Sequence, residues 1–254
     1  MTRVMGIVNV TPDSFSDGGR YFDPDEAVRR ARNMLGEGVD IIDLGGESTR
    51  PGATPLDWEE EWSRIEPVFG RLEEERAVCE GRVPLSVDTY HPETAERAVA
   101  RGARIVNCVS SEPVAEMLRI ARGRGDVEVV VPCRLDGADD PCARFGDFPR
   151  ERLYLDPMIG FGTTREEDLA LLQSVPRLAA FGRVLVGASR KRIVKKLTGE
   201  KVTGKDLAGN LALAVWCALN GASVVRVHDV AETARALRVV SALGEADAGK
   251  AVNR

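Results

Sequence analysis

The sequence predicts an α/β protein folded as a closed (β/α)8 barrel of the TIM type, and three observations carry that expectation. Eight short β-branched apolar runs recur, each followed by a polar turn rich in Gly, Asp or Ser and then by a segment of helical spacing. That alternation is the mark of parallel βαβ units. Eight such repeats in 254 residues match one barrel domain in size and count. Finally, polar side chains gather just after the runs, where a barrel of this kind builds its active site. A doubly wound open sheet is the alternative that the same alternation permits. The barrel is expected to occupy residues 1–254 as a single domain, with a tail after about residue 244 that reads as frayed.

The elements follow in order. RVMGIVN (3–9) is the first strand. Asp23, Pro24 and Glu26 then supply an N-cap, a preset first turn and a capping carboxylate for a helix with Ala27, Val28, Ala31, Met34 and Leu35 on its inner face, ending near Gly36 and Gly38. DIIDL (40–44) is the second strand, followed by a helix with Trp58, Trp62, Ile65, Phe69 and Leu72 as its core face. PLSVD (84–88), RIVNC (104–108), VEVVVPC (127–133), RLYLD (152–156), RVLVGA (183–188) and SVVRV (223–227) complete the eight. Capping boxes Thr164 with Glu167 and Asp229 with Glu232 open later helices. One unit is irregular: LDGADDPCARFGDFPR (135–150) lacks a sustained apolar period, so the fifth helix is expected to be shortened or replaced by loop.

Composition narrows the function classes. With 35 Lys and Arg against 40 Asp and Glu, the net charge of -5 leaves no broad footprint for nucleic acid. No run of about 18 apolar residues could span a bilayer, and the opening MTRVMGIVNVT lacks the layout of a secretory signal, so a cytoplasmic protein is expected. The five cysteines, Cys79, Cys108, Cys133, Cys142 and Cys217, form no CxxC pair and read as small buried residues rather than a disulfide framework or a zinc site.

The strand ends carry the chemistry. Asn9, Asp43, Asp88, Asn107 and Asp156 end five strands, Ser189 and Lys191 follow the seventh, and Arg226 and His228 close the eighth. Residues i and i+2 of a strand point the same way, so Arg226 and His228 would project together as a two-donor clamp for an anion. An isolated Asp or Asn at such a place is as readily a cap or turn former. Carboxylates and basic groups on separate strands point instead to a ligand with two chemically different ends. The loops TPDSFSDGGR and GGESTRPGA are long and Gly-rich, suited to closing over a ligand, and Arg50 is a candidate clamp for a carboxylate.

Taken together, GIVNVTPDSFSDGG (6–19), DLGGESTRPGA (43–53), SVDT (86–89), DPMIGFGTT (156–164), SRK (189–191) and RVHDV (226–230) closely resemble, in that order, the signature segments of the dihydropteroate synthase family. The resemblance covers roughly residues 3 to 235. It implies a TIM-barrel transferase of folate synthesis, dimeric and Mg²⁺-dependent, that joins 6-hydroxymethyl-7,8-dihydropterin diphosphate to p-aminobenzoate and releases diphosphate. By the same resemblance Asp88, Asn107, Asp156 and Lys191 would line the pterin pocket. Asn9, Arg226 and His228 would hold the diphosphate, with Asn9 near the metal. Ser189, Thr49, Arg50 and Pro51 would border the p-aminobenzoate site, and Phe15 and Asp17 would belong to a loop closing over the diphosphate. Asp88, Asp156, Lys191, Arg226 and His228 are thus the expected catalytic set, and loss of Lys191 or Arg226 is expected to lower the rate without altering the fold.

The chain departs from the family pattern around strands four to six. Cys108 stands where an aspartate is usual and Ser111 where a glycine is, Met158 replaces a glycine, Thr163 replaces a lysine, and the family's Met-His pair after strand five is absent. A pterin-binding relative that uses another arylamine, or that binds without catalysis, is the alternative these departures leave open.

Overall fold

The computed structural model of the chain describes residues 1–11, 23–48, 54–135, 137, 139–202 and 205–251, with side chains through residue 244. Eight parallel strands close into a barrel in sequence order: β1 (Arg3–Asn9), β2 (Ile41–Gly45), β3 (Leu85–Asp88), β4 (Ile105–Asn107), β5 (Glu128–Pro132), β6 (Leu153–Asp156), β7 (Arg183–Val186) and β8 (Val224–Val227). Closure comes from β8 pairing with both β7 and β1, Met5 lying opposite Arg226. The expected (β/α)8 barrel is therefore the fold, and the open sheet is excluded.

The helices around it are α1 (Pro24–Glu37), α2 (Trp58–Glu73), α3 (Arg76–Cys79), α4 (Pro92–Ala100), α5 (Val114–Gly123), α6 (Arg165–Gln173), α7 (Val175–Ala179), α8 (Arg192–Thr198), α9 (Leu207–Leu219) and α10 (Val230–Ala251). Local signals explain their ends. Asp23 caps α1 by accepting from the Asp25 amide, and Gly38 ends it in a left-handed turn with φ 93°. Thr164 and Glu167 form the reciprocal capping box of α6. At Asp229 the carboxylate takes the Arg190 guanidinium instead, 2.5 Å away. The backbone of α10 stays helical to Ala251, past the point where the sequence reads as frayed; its alanine-rich end suits a helix.

No α-helix joins β5 to β6 among the described residues. Two 3-10 turns, Pro141–Phe145 and Arg150–Arg152, take its place. Cys142, Phe145 and Phe148 are buried there and cover the barrel side that a helix would otherwise shield. Arg152 braces the segment by donating to the carbonyls of Ala121, Arg124 and Val127. The short apolar content of 135–150 accounts for this: there is enough to seal the sheet but no 3.6-residue period to sustain a helix.

Two apolar layers hold the barrel. The outer one lies between strands and helices and includes Trp62, Ile65, Phe69 and Leu72 of α2. Trp58 is the exception to the expected inner face of that helix: it sits half-buried at the rim with the Arg97 guanidinium 4.6 Å from its ring centroid. The inner layer is a plug of Met5, Ile41, Ile105, Val130, Tyr154, Leu185 and Val224, one inward residue from each of seven strands. Burying a side chain of this size stabilises by about 1.5–3 kcal/mol, so the plug fixes which face of every strand looks inward. Below it Glu128 ties Arg183 at 2.6 Å and the Tyr154 hydroxyl at 3.1 Å, closing the lower end.

Candidate active site

Strand parity decides which side chains reach the mouth. Counting in twos from the plug, Met5 leads to Asn9, Ile41 to Asp43, Ile105 to Asn107, Tyr154 to Asp156, and Val224 to Arg226 and then His228. Asp88 joins this set through register, opposite Gly45 on one side and Asn107 on the other. A hydrophobic floor therefore forces the polar residues into one layer above it.

Arg226 crosses that layer. Its Nε donates to Asp43 Oδ2 at 2.6 Å and Nη2 donates to Asp88 Oδ2, while Asn107 Nδ2 donates to the same Asp43 oxygen at 3.1 Å. Asp43 is fully buried, and the side chains of Asp88 and Arg226 are 12% and 16% exposed. Sequence reasoning placed Asp43 at a strand end but gave it no task; its inward parity was the available signal. Among the described residues the buried oxygens Asp43 Oδ1, Asp88 Oδ1 and Asn107 Oδ1 have no hydrogen-bond partner. Three buried acceptors without donors are costly unless a bound molecule supplies N–H groups.

Burial raises the Asp88 carboxyl to about 7, against the pull of Arg226 and with Asp43 and Glu61 adding to the rise. The guanidinium of Arg226 is disfavoured by burial, yet Asp88 and Asp43 together hold it above its ordinary value. The arginine stays charged, and its charge is what keeps two buried carboxylates in one cluster.

The opposite side of the mouth is built by the β6–α6 loop and the start of α8. Asp156 Oδ1 accepts the Met158 amide at 2.7 Å. Met158 has φ 62°, a left-handed conformation that suits the glycine usual there, and the Asp156 bond holds it in place. Lys191 Nζ donates to the Ile159 carbonyl at 2.6 Å and lies 4.2 Å from the Phe161 ring centroid. Burial lowers its ammonium to about 8, opposed chiefly by Asp156. Asp156 is itself raised by burial, opposed by Lys191 and the Met158 amide. A cleft of about 330 Å³ lined by Ser111, Pro132, Cys133, Arg134, Arg144 and Met158 flanks this side.

His228 is fixed by its neighbours. Its Nδ1 lies 3.1 Å from Ser189 Oγ, the same hydroxyl accepts its backbone N–H at 3.3 Å, and its carbonyl accepts from Arg30 at 2.9 Å. The SRK and RVHD segments, 39 residues apart, thus form one unit. Eight expected residues, Asn9, Asp88, Asn107, Asp156, Ser189, Lys191, Arg226 and His228, belong to strand ends or the turns just beyond them. Phe15, Asp17, Thr49, Arg50 and Pro51 lie outside the described residues.

Among the described residues no group of three or more His, Cys, Asp or Glu is arranged to hold a metal ion. Asn9 offers one amide oxygen at the end of β1. Such a donor set fits Mg²⁺ only as an ion that arrives mostly ligated by phosphate and water.

Comparison with known proteins agrees with the geometry. A family described as pterin binding enzymes matches over residues 5–140 and 138–228. Dihydropteroate synthase of Neisseria meningitidis serogroup B is 38% identical over 271 residues, covering 95% of this chain and 93% of that protein. A probable bifunctional folylpolyglutamate synthase/dihydropteroate synthase of Haloferax volcanii is 39% identical over 264 residues; the chain spans 30% of its length. The structure of Xanthomonas albilineans dihydropteroate synthase with 4-aminobenzoic acid superposes with a TM-score of 0.83 at 40% identity, covering 96% of this chain and 93% of that one. The same protein in complex with 7,8-dihydropteroate gives a TM-score of 0.80 at 37% identity over 96% and 94%.

Proposed function

This chain belongs to the family of pterin binding enzymes, and from that premise we propose that it is a dihydropteroate synthase, joining 6-hydroxymethyl-7,8-dihydropterin diphosphate to p-aminobenzoate with release of diphosphate. The observation that carries this reading is the division of one barrel mouth into two chemistries. Asp156 and Lys191 lie on one side of it and Arg226, bonded to Asp43 and Asp88, reaches in from the strand end that also carries His228; in this reading Asp156 and Lys191 would take the ring, and Arg226, His228 and Asn9 the diphosphate.

The pterin ring edge presents N–H donors beside a carbonyl. Asp156, Asp88 and Asn107 would accept from those donors, meeting the need of the buried oxygens, and Lys191 would donate to the carbonyl. As the bond between the methylene and the diphosphate oxygen lengthens, positive charge spreads over methylene and ring. The carboxyl groups of Asp88, Asp156 and Asp43 line the mouth and, where ionised, would stabilise that charge. The amine of p-aminobenzoate then attacks the methylene and loses a proton, with no side-chain nucleophile needed. Arg226 is oriented by two of its nitrogens on Asp43 and Asp88, and its Nη1 would donate to the departing diphosphate together with His228. Mg²⁺ held by the diphosphate, with Asn9 as one protein ligand, would neutralise leaving-group charge. Ser189, Thr49, Arg50 and Pro51 would border the arylamine, and Phe15 and Asp17 the diphosphate loop.

The test follows diphosphate release from the dihydropterin diphosphate and Mg²⁺, with and without p-aminobenzoate. Release that requires the arylamine is the expected result. Binding of the pterin without any release, in the presence of the arylamine, would support a non-catalytic pterin-binding module instead.

The working form proposed is a cytoplasmic homodimer. The five cysteines are all free, as a reducing compartment would keep them, and no described helix is long and apolar enough to cross a membrane. The 13 residues of α9, LAGNLALAVWCAL, carry no charge, Trp216 and Leu219 are 37% and 70% exposed, and Val239 and Leu243 of the adjoining α10 are 60% and 66% exposed. A helix that is apolar around most of its circumference needs a second covering surface, and a second copy supplies it. Sedimentation should give a dimer that Leu219→Asp converts to monomer; a monomeric parent protein would contradict the assignment.

A further inference from the structure

Lys191 depends on a loop that has almost no regular structure of its own. Between Asp156 and α6 the chain turns through Gly160, with φ +80°, and a Cβ there would lie 2.8 Å from Lys191 Cδ. The lysine stem therefore packs directly on loop backbone, and its ammonium position is set by the Ile159 carbonyl and the Phe161 ring. Any shift of residues 159–161 moves both.

One buried side chain ties that loop down. Asp168, in the first turn of α6 and fully buried, accepts the Gly160 N–H at 2.7 Å and the Thr163 hydroxyl at 2.5 Å, both on Oδ1. Thr163 also accepts from the Gly160 N–H at 3.2 Å, and its carbonyl accepts from Arg192, the residue after Lys191. Among the described residues Asp168 Oδ2 has no hydrogen-bond partner and no basic side chain forms an ion pair with this carboxylate. A buried carboxylate without a cation is costly where a neutral amide would make the same two bonds. A residue that only stapled the loop would have no use for the charge, whereas a negative charge here adds, after Asp156 and Asp88, to the support of the Lys191 ammonium.

We infer that Asp168 is a positioning residue for Lys191: it fixes the Ile159 carbonyl and Phe161 ring through Gly160 and Thr163, and contributes negative charge to the lysine's surroundings. The inference rests on the proposed reading that Lys191 meets the pterin. The charged groups facing the lysine are Asp156 from β6, Arg226 from β8, Asp88 from β3 and Asp168 from α6.

The experiment compares the parent with Asp168→Asn and Asp168→Ala. It reads calorimetric affinity for 6-hydroxymethyl-7,8-dihydropterin diphosphate, KM for each substrate, and the pH profile of kcat/KM. Asp168→Asn can keep both accepted bonds, so its pterin affinity should stay within about threefold of the parent, while its alkaline limb moves to lower pH because a supporting charge is gone. Asp168→Ala should weaken pterin affinity about tenfold or more and change KM for p-aminobenzoate by no more than about twofold. Should Asp168→Ala fail to fold, Thr163→Val removes one of the two bonds and is expected to weaken the pterin selectively as well. Equal losses for both substrates, an unmoved alkaline limb in Asp168→Asn, or unchanged pterin affinity in the alanine or valine variant would overturn the inference. A parent protein that does not bind the pterin diphosphate would overturn the functional reading instead.

Discussion

Arg226→Ala should lose stability and turnover together, in contrast to the unaltered fold expected from the sequence. Arg226 is the cation between Asp43, fully buried, and Asp88, 12% exposed. Removing one partner of a buried ion pair leaves an uncompensated charge and costs about 3–5 kcal/mol. Two carboxylates share this arginine, so a loss in the upper part of that range is expected in urea denaturation at neutral pH. Part of the damage should be relieved by acid. The Asp88 carboxyl is already raised to about 7, and without Arg226 it rises further. A raised carboxyl contributes stability that is present below its unfolded value near 4 and is lost as pH rises through the folded value. The variant should therefore unfold more readily at pH 8 than at pH 5. Diphosphate release should fall by about two orders of magnitude or more, since a charge-assisted contact to the leaving group is removed along with the group that orients the pocket. Adding Asp43→Asn to Arg226→Ala should restore some stability and none of the turnover, which separates the structural part of the effect from the chemical part. Wild-type stability in the single variant would contradict the ion-pair account.

Lys191→Ala is the opposite case. Burial lowers this ammonium from 10.5 to about 8, so the folded state holds its proton less tightly than the unfolded chain does. At neutral pH the charged lysine is a burden on the fold, and its removal should leave the denaturation midpoint unchanged or slightly raised. Turnover should nevertheless fall about 10- to 150-fold, the equivalent of a charge-assisted hydrogen bond of about 1.5–3 kcal/mol. The pH profile supplies a signature. In the parent, kcat/KM should decline as pH passes about 8 and the ammonium donor is lost; in Lys191→Ala that limb should vanish. Parallel profiles for parent and variant would mean that the limb belongs to another group.

Particular residues show how far the sequence alone reached. The barrel was legible because its period is written eight times, and the unit without a helix was legible because 135–150 breaks that period. The inward set was legible wherever a polar residue ended a strand at the parity of the plug, as with Asp156 or His228. What a single strand could not disclose was pairing across the barrel. Arg226 and Asp43 are 183 residues apart, and their bond depends on barrel closure and register. The sequence therefore read Arg226 as a free clamp and left Asp43 without a role. Trp58 was misread for a related reason: helical spacing places it on the inner face of α2, yet as the first residue of the helix it is only half-buried and is covered by Arg97. Asp168 carried no sequence signal beyond the first turn of a helix, where an acidic residue is ordinary.

The central claim is that one ligand lies across a single mouth, its ring at Asp156 and Lys191 and its phosphates at His228 and Arg226. The affinity of His228→Ala for 6-hydroxymethyl-7,8-dihydropterin and for its diphosphate tests this directly. Calorimetry should show the variant about tenfold weaker for the diphosphate and within about twofold of the parent for the alcohol, because only the former reaches the histidine. Equal weakening of both ligands, or of the alcohol alone, would contradict the division of the mouth on which the account stands.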